Sequence, residues 1–259
     1  RLPRLVILSL LWTALVTCEN ERPINVDWCP ERWCTCVSGN SKFGSFVDCL
    51  STSPVTNRAY RVFKKDDVSL DFSFACEGER HGNDPDFAED VLNLRMSLGT
   101  VGTFQMYYDT RCPPPSSYYR LFLALNITTM ETLQLEGYKF KAVRLLPDAF
   151  ENLSKMDLKA VEFSNDGFYN LPSNLFRPVP NLDRIEISHT NVSELPGFDG
   201  LSKLRTLILD KIPIASVPPE AFRDLIGLTN ISIRDTHLST LPSDAFASSL
   251  NLRYVDLSG

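Results

Sequence analysis

Cysteine is the most informative reactive residue in this chain. Seven occur, at Cys18, Cys29, Cys34, Cys36, Cys49, Cys76 and Cys112, and none follows in the remainder of the 259 residues. Four form a tight set, Cys29-x4-Cys34-x-Cys36-x12-Cys49. That set contains no CxxC pair and no nearby histidine, so it does not supply the ligands of a tetrahedral zinc site. Histidine occurs only at His81, His189 and His237. No Gly-x-Ser-x-Gly elbow, phosphate-cradling glycine loop or His-Glu-x-x-His helix accompanies them. His189 lies beside Glu186 and Ser188 and reads as a surface residue rather than a base. The expectation is therefore no catalytic residue, no metal and no cofactor, which leaves disulfide formation as the chemistry of the cysteines.

The N-terminus supports that reading. Arg1 and Arg4 precede the apolar run Leu5-Val6-Ile7-Leu8-Ser9-Leu10-Leu11-Trp12, followed by modest residues up to Cys18. This is the charged, apolar and cleavable layout of a secretory leader over residues 1–18, with a signal anchor as the competing reading. The run is short for a bilayer span. Loss of Cys18 with the leader leaves an even six cysteines, which in a secreted chain reads as a disulfide framework. Six cysteines permit fifteen pairings; only Cys34 with Cys36 is disfavoured, because its loop is too small for unstrained geometry. Removing the leader takes Arg1 and Arg4 and no acid, moving the net charge from −6 to −8. An acidic surface excludes nucleic acid as the expected partner, since nothing offers the basic patch that phosphate binding needs. Four Asn-x-Ser/Thr sequons, at Asn126, Asn152, Asn191 and Asn230, are then candidate glycosylation sites.

The elements that position these residues are written in a repeat. From about Val101 an L-x-x-L-x-L pattern recurs: Val101-Phe104-Met106, Met130-Leu133-Leu135, Leu158-Val161-Phe163, Leu182-Ile185-Ile187, Leu204-Leu207-Leu209, Leu228-Ile231-Ile233 and Leu252-Val255-Leu257. Successive starts are 29, 28, 24, 22, 24 and 24 residues apart. A second apolar block follows each of several strands, as in Leu146-Pro147-Asp148-Ala149-Phe150, Leu171-Pro172 to Phe176, Val217-Pro218 to Phe222 and Leu241-Pro242 to Phe246. In x-L-x-L-x both apolar side chains point to one face. One repeat buries roughly six of them at about 2 kcal/mol each, while ordering its residues costs about 1.5 kcal/mol apiece. A single repeat cannot fold alone, so stacking must complete the core. The expected fold is an α/β solenoid: a leucine-rich-repeat horseshoe with a parallel sheet on its concave wall and an N-terminal disulfide cap. The domains read as residues 1–18 leader, 19–100 cysteine-rich cap and link, and 101–259 repeats.

Between cap and repeats, Val68 to Phe74 alternates as a strand, Glu77 to Asp86 is a polar loop, and Asn93 to Leu98 reads as a further strand. The slot three residues after the second strand anchor, where such repeats usually carry asparagine, holds Asp109, Tyr138, Asp166, Thr190, Ile212 and Thr236. Asp and Thr can still bond backbone groups; Ile212 cannot, which predicts irregularity between Leu209 and Ile214. The pattern breaks off at Gly259 without a C-terminal cap, so the chain reads as a fragment whose last strand is exposed and prone to self-association.

Residues expected on the concave face are the candidate ligand contacts. They are Thr103, Gln105, Tyr107 and Tyr108; Thr132, Gln134 and Glu136; Lys159, Glu162 and Ser164; Arg184, Glu186 and Ser188; Arg205, Ile208 and Asp210; with Arg234 and Asp235 further along. Paired tyrosines are enriched among binding hot spots, and Ile208 is apolar where its neighbours are polar. Asn230, beside a strand anchor, would project a glycan at this wall and bias binding toward the N-terminal strands.

The order of leader, four-cysteine cap, strand ending at Cys76, irregular link, first repeat strand before Cys112, and repeats resembles the N-terminal ectodomain of invertebrate Toll receptors. The resemblance covers essentially the whole chain, although the asparagine ladder is degenerate. It implies the pairings Cys29–Cys36, Cys34–Cys49 and Cys76–Cys112. It also implies an extracellular signalling receptor at the plasma membrane, spanning the membrane once beyond Gly259 and ending in a cytoplasmic TIR domain. The partner it implies is a Spätzle-like cystine-knot cytokine, with receptor self-pairing on binding. An adhesive or matrix repeat protein and a direct microbial sensor are the alternatives.

Overall fold

Among the described residues a single sheet of eleven strands forms, its parallel part built from one short strand of alternating apolar side chains per repeat. The computed structural model describes residues 34–41, 44–53, 58–64, 69–76, 98–108, 114–137 and 143–259. In chain order the strands are β1 (Cys34–Ser41), β2 (Gly44–Ser53), β3 (Arg58–Lys64), β4 (Ser69–Cys76), β5 (Gly99–Tyr108) and β6 (Ile127–Glu136). The shorter β7 (Ala160–Ser164), β8 (Arg184–Ser188), β9 (Thr206–Asp210), β10 (Asn230–Arg234) and β11 (Tyr254–Asp256) follow. Each strand neighbours its predecessor in sequence.

The sheet changes character at β4. Strands β1 to β4 form an antiparallel meander, whereas every pairing from β4–β5 onward is parallel. The meander caps the first parallel edge without a break in hydrogen bonding, the management that an exposed edge requires. Its register sets Cys36 across from Cys49 and Cys34 across from Ser51. The leader, Cys29, Cys112 and most of the Asn93–Leu98 segment lie outside the described residues, as do the Asp109 and Tyr138 slots.

One core runs the length of the repeats. The strand anchors from Val101 through Ile233 are all buried, including Leu133, Leu135, Leu207 and Leu209 at 0% exposure. On the far side of this core, Phe150, Phe176, Phe198, Phe222 and Phe246 come one from each turn. Their ring centroids are spaced 6.2, 6.0, 6.2 and 5.5 Å apart. Phe198, the ring that the return-block pattern misses, sits in the shortest repeat. There Gly197 brings the backbone so close that a Cβ would stand 2.4 Å from the Ser173 carbonyl oxygen. In the return block Leu146 to Phe150, Ala149 and Phe150 are buried, but Leu146 is 44% exposed and Leu145 before it takes the buried position. The outer wall is made mainly of turns. One α-helix, α1 (Tyr118–Ala124), capped by the Ser117 side chain, and a 3₁₀ turn at Leu153–Met156 are its helical parts among the described residues. Repeats of 22 to 24 residues with prolines at Pro172, Pro218 and Pro242 leave little room for more.

The irregularity expected between Leu209 and Ile214 does not occur. Asn165, His189, Lys211 and Asp235 end successive strands with φ of 66°, 53°, 51° and 49°, one left-handed residue per turn. Backbone N–H groups bridge turns at this step: His189 donates to the Asp210 carbonyl, Lys211 to that of Arg234 and Asp235 to that of Ser258, at 2.8, 2.9 and 3.1 Å. Because the main chain of Lys211 makes this bridge, the next side chain is free to be apolar. Ile212 and Ile214 are accordingly buried. In neighbouring turns the Thr190 and Thr236 hydroxyls accept from the N–H two residues on.

Candidate functional site

Parallel register stacks equivalent residues of each strand into three rows on the concave wall. The first row runs Thr103, Thr132, Ala160, Arg184, Thr206, Asn230 and Tyr254. The second runs Gln105, Gln134, Glu162, Glu186, Ile208, Ser232 and Asp256. The third runs Tyr107, Glu136, Ser164, Ser188, Asp210 and Arg234.

Most of the residues proposed from sequence fall in these rows, but four do not. Lys159 and Arg205 lie one position before the rows, at the strand entrances, where their N–H groups donate to Glu131 and Asp183 carbonyls. They sit an odd number of residues from Glu162 and Ile208, so strand alternation forbids a shared face; Ala160 and Thr206 take the facing positions. Tyr108 pairs with Phe74 of β4 at the register position after Tyr107, outside the three rows. Asp235, noted further along, is the left-handed residue after β10. Strict counting by two from each buried anchor would have found Thr206 and excluded Lys159 and Arg205.

The rows are knitted by side-chain hydrogen bonds between strands. The Gln105 amide donates to Glu136 at 2.9 Å, and Asn165 donates to the other oxygen of the same carboxylate. The Gln134 amide donates to Glu162 at 2.9 Å. Arg184 lies between two glutamates, 3.4 Å from Glu162 and bonded to Glu186. Further along, Arg234 stands 3.3 Å from the buried carboxylate of Asp210 and 3.9 Å from Asp256. The Ser258 hydroxyl and N–H both donate to Asp256 and hold its pKa below the ordinary carboxylate range. Five carboxylates (Glu136, Glu162, Glu186, Asp210, Asp256) thus face two guanidiniums (Arg184, Arg234) across the rows, leaving the wall net acidic. Each amide bond holds a glutamate in one geometry, so the charge is pre-positioned for a partner rather than free to swing away.

Among the described residues no group of three or more His, Cys, Asp or Glu could hold a metal ion, and no helix is long and apolar enough to cross a membrane. In α1 the Tyr118 hydroxyl is buried with no hydrogen-bond partner among the described residues, and burial among Phe122 and Phe150 raises its pKa.

The family model for leucine rich repeats matches residues 202–259. The described strands from β4 to β11 stack as a parallel-strand solenoid typical of the leucine-rich-repeat fold. Mouse CD180 antigen is 28% identical over 141 residues, which cover 53% of this chain and 21% of that protein. Tsukushi of Xenopus tropicalis is 31% identical over 87 residues, 34% of this chain and 25% of its own length. This solenoid therefore spans only about a fifth to a quarter of those relatives. Among solved structures, a chain of the Drosophila Toll–Spatzle complex is similar at a TM-score of 0.48 and 15% identity, covering 85% of this chain and 34% of that one. A chain of the complex between TLR13 and a single-stranded RNA has the same TM-score at 18% identity, covering 66% and 26%.

Proposed function

We propose that this solenoid is the ligand-binding front of a Toll-type receptor ectodomain, carried to the cell surface by residues 1–18 as a leader and closed at its N-terminal end by a disulfide-tied cap. Its concave wall captures a protein ligand, a cystine-knot cytokine of the Spätzle kind, and pairing of two liganded receptors passes the signal onward. The observation that carries this reading is the pre-positioned acidic wall of β6 to β8, where Glu136, Glu162 and Glu186 are held by Gln105, Gln134 and Arg184. A rigid face with excess carboxylate suits a folded partner that presents lysines and arginines. Such complementarity speeds encounter and suppresses wrong partners.

The test is binding of a purified cystine-knot cytokine dimer to the secreted chain on a biosensor. The variant Glu162→Gln with Glu186→Gln keeps an amide oxygen for Gln134 and Arg184 while removing both charges. Affinity is expected to fall about tenfold, roughly 1.4 kcal/mol, with most of the loss at low salt, where screening is weakest. Equal binding by wild type and variant would remove the wall from the argument. Capture of microbial extract with no response to the cytokine would transfer the assignment to a microbial sensor. Neither ligand binding would favour an adhesive repeat protein.

A further inference from the structure

Fold geometry separates four sequons that look alike as tripeptides. Asn126 and Asn152 are exposed, both with left-handed backbone, before β6 and on the outer turn respectively, and neither stands in a concave row. Asn191 is half-buried just after β8, and its Nδ2 donates to the Asp166 carbonyl of the preceding turn. Asn230 opens β10, is exposed, and stands in the first concave row between Thr206 and Tyr254. We propose that Asn230 carries an N-linked oligosaccharide planted on the concave wall, covering β9 to β11 and leaving β5 to β8 as the open ligand face, while Asn191 stays unmodified as a link between turns.

The inference rests on passage through the secretory pathway, as in the proposed function. In the transfer, Asn230 Nδ2 bonds to the anomeric carbon of a lipid-pyrophosphate-linked oligosaccharide. The bond from that carbon to the pyrophosphate oxygen breaks, the lipid pyrophosphate leaves, and one Nδ2 proton passes to the transferase's base. The folded chain hides the rest of this sequon, because Ile231 is 0% and Ser232 8% exposed. Transfer therefore precedes docking of β10 on β9. All four sequons meet the transferase unfolded, and the fold then selects which modified chains reach the medium. A sugar on Asn230 extends into the open concave space. A sugar on Asn191 must share the gap between two turns with the hydrogen bond to Asp166.

The full chain, with an initiating Met before Arg1, is expressed in cultured mammalian cells, and secreted protein is treated with peptide-N-glycosidase in ¹⁸O water. Peptide mass mapping is expected to show ¹⁸O-labelled aspartate at position 230 in most molecules and unlabelled Asn191. The exposed Tyr254, register partner of Asn230, is expected to react several-fold faster with hydroxyl radicals in Asn230→Gln than in wild type. Secreted protein modified at Asn126 or Asn152 but bare at Asn230, or modified at Asn191, overturns this inference alone. Equal reactivity of Tyr254 in both proteins overturns the covering role. A chain retained in the cytosol with no sequon modified overturns the secretory reading and this inference with it.

Discussion

Replacing Phe198 with alanine removes one ring from the column that joins the repeats on the outer side of the core. Phe198 is 1% exposed and stacks between Phe176 at 6.0 Å and Phe222 at 6.2 Å, with interplanar angles of 14° and 27°. Truncating a buried phenylalanine costs about 3–5 kcal/mol through lost transfer energy and the cavity left behind. Each lost ring pair accounts for about 0.5–1.5 kcal/mol beyond area. The upper part of the range applies, because Gly197 already lies against the Ser173 carbonyl and the short repeat cannot collapse further. Against a typical total stability of about 5–15 kcal/mol, that loss is enough to uncouple the turns on either side. In a quasi-one-dimensional fold the loss is felt at the two neighbouring interfaces first. Hydrogen exchange should therefore show faster exchange in β8 and β9 amides before those of β5 and β6. Phe198→Leu, which keeps most of the volume but loses both ring contacts, should cost about 1–2 kcal/mol. A Phe198→Ala loss below about 1 kcal/mol, or uniform exchange along all strands, would refute the stacked-column account.

Three further outcomes follow from the same geometry. Arg234→Ala leaves the buried Asp210 carboxylate without its ion-pair partner; the Arg234 side chain is 43% exposed, so the expected cost is screened to about 1 kcal/mol, read as a shift in urea midpoint. Asp256 has a depressed folded pKa, so the stability it contributes is present above its unfolded pKa and is lost as pH falls through the folded value. Ser258→Ala should raise that pKa toward the ordinary range in a carboxyl NMR titration, and an unmoved titration would assign the shift to another source. Val255 in β11 and Leu257 just after it are 47% and 49% exposed where earlier anchors are buried, so the recombinant piece 19–259 should self-associate in sedimentation velocity; a monodisperse monomer that melts sharply would count against it.

Much of the fold is readable one strand at a time. The anchors Val101 to Ile233 were identifiable because burial recurs every second residue within a strand, a purely local period. Val68 to Phe74 reads as a strand from its alternating residue types, and the strand forms over Ser69–Cys76; the polar character of the wall is legible from the same two-residue period. Lys159 and Arg205 are polar neighbours of the strands but stand at odd parity from the nearest anchor, so alternation takes them off the wall. Ile212 departs from the sequence expectation for a different reason. Its side chain cannot make the ladder bond, but the N–H of Lys211 makes the inter-turn bridge, and main-chain donors carry no sequence signature.

The repeat length, the apolar anchors and the clustering of cysteines before the repeats are properties of the linear chain, and they are sufficient to demand a stacked solenoid because one repeat buries too little to stand alone. Contacts between turns are a different matter. That Gln105 meets Glu136, that Arg184 reaches Glu162, that Phe198 completes the ring column and that Asn191 spends its amide on Asp166 all depend on register between segments more than twenty residues apart. Register is decided by how side chains interlock when turns stack, and no local period encodes it.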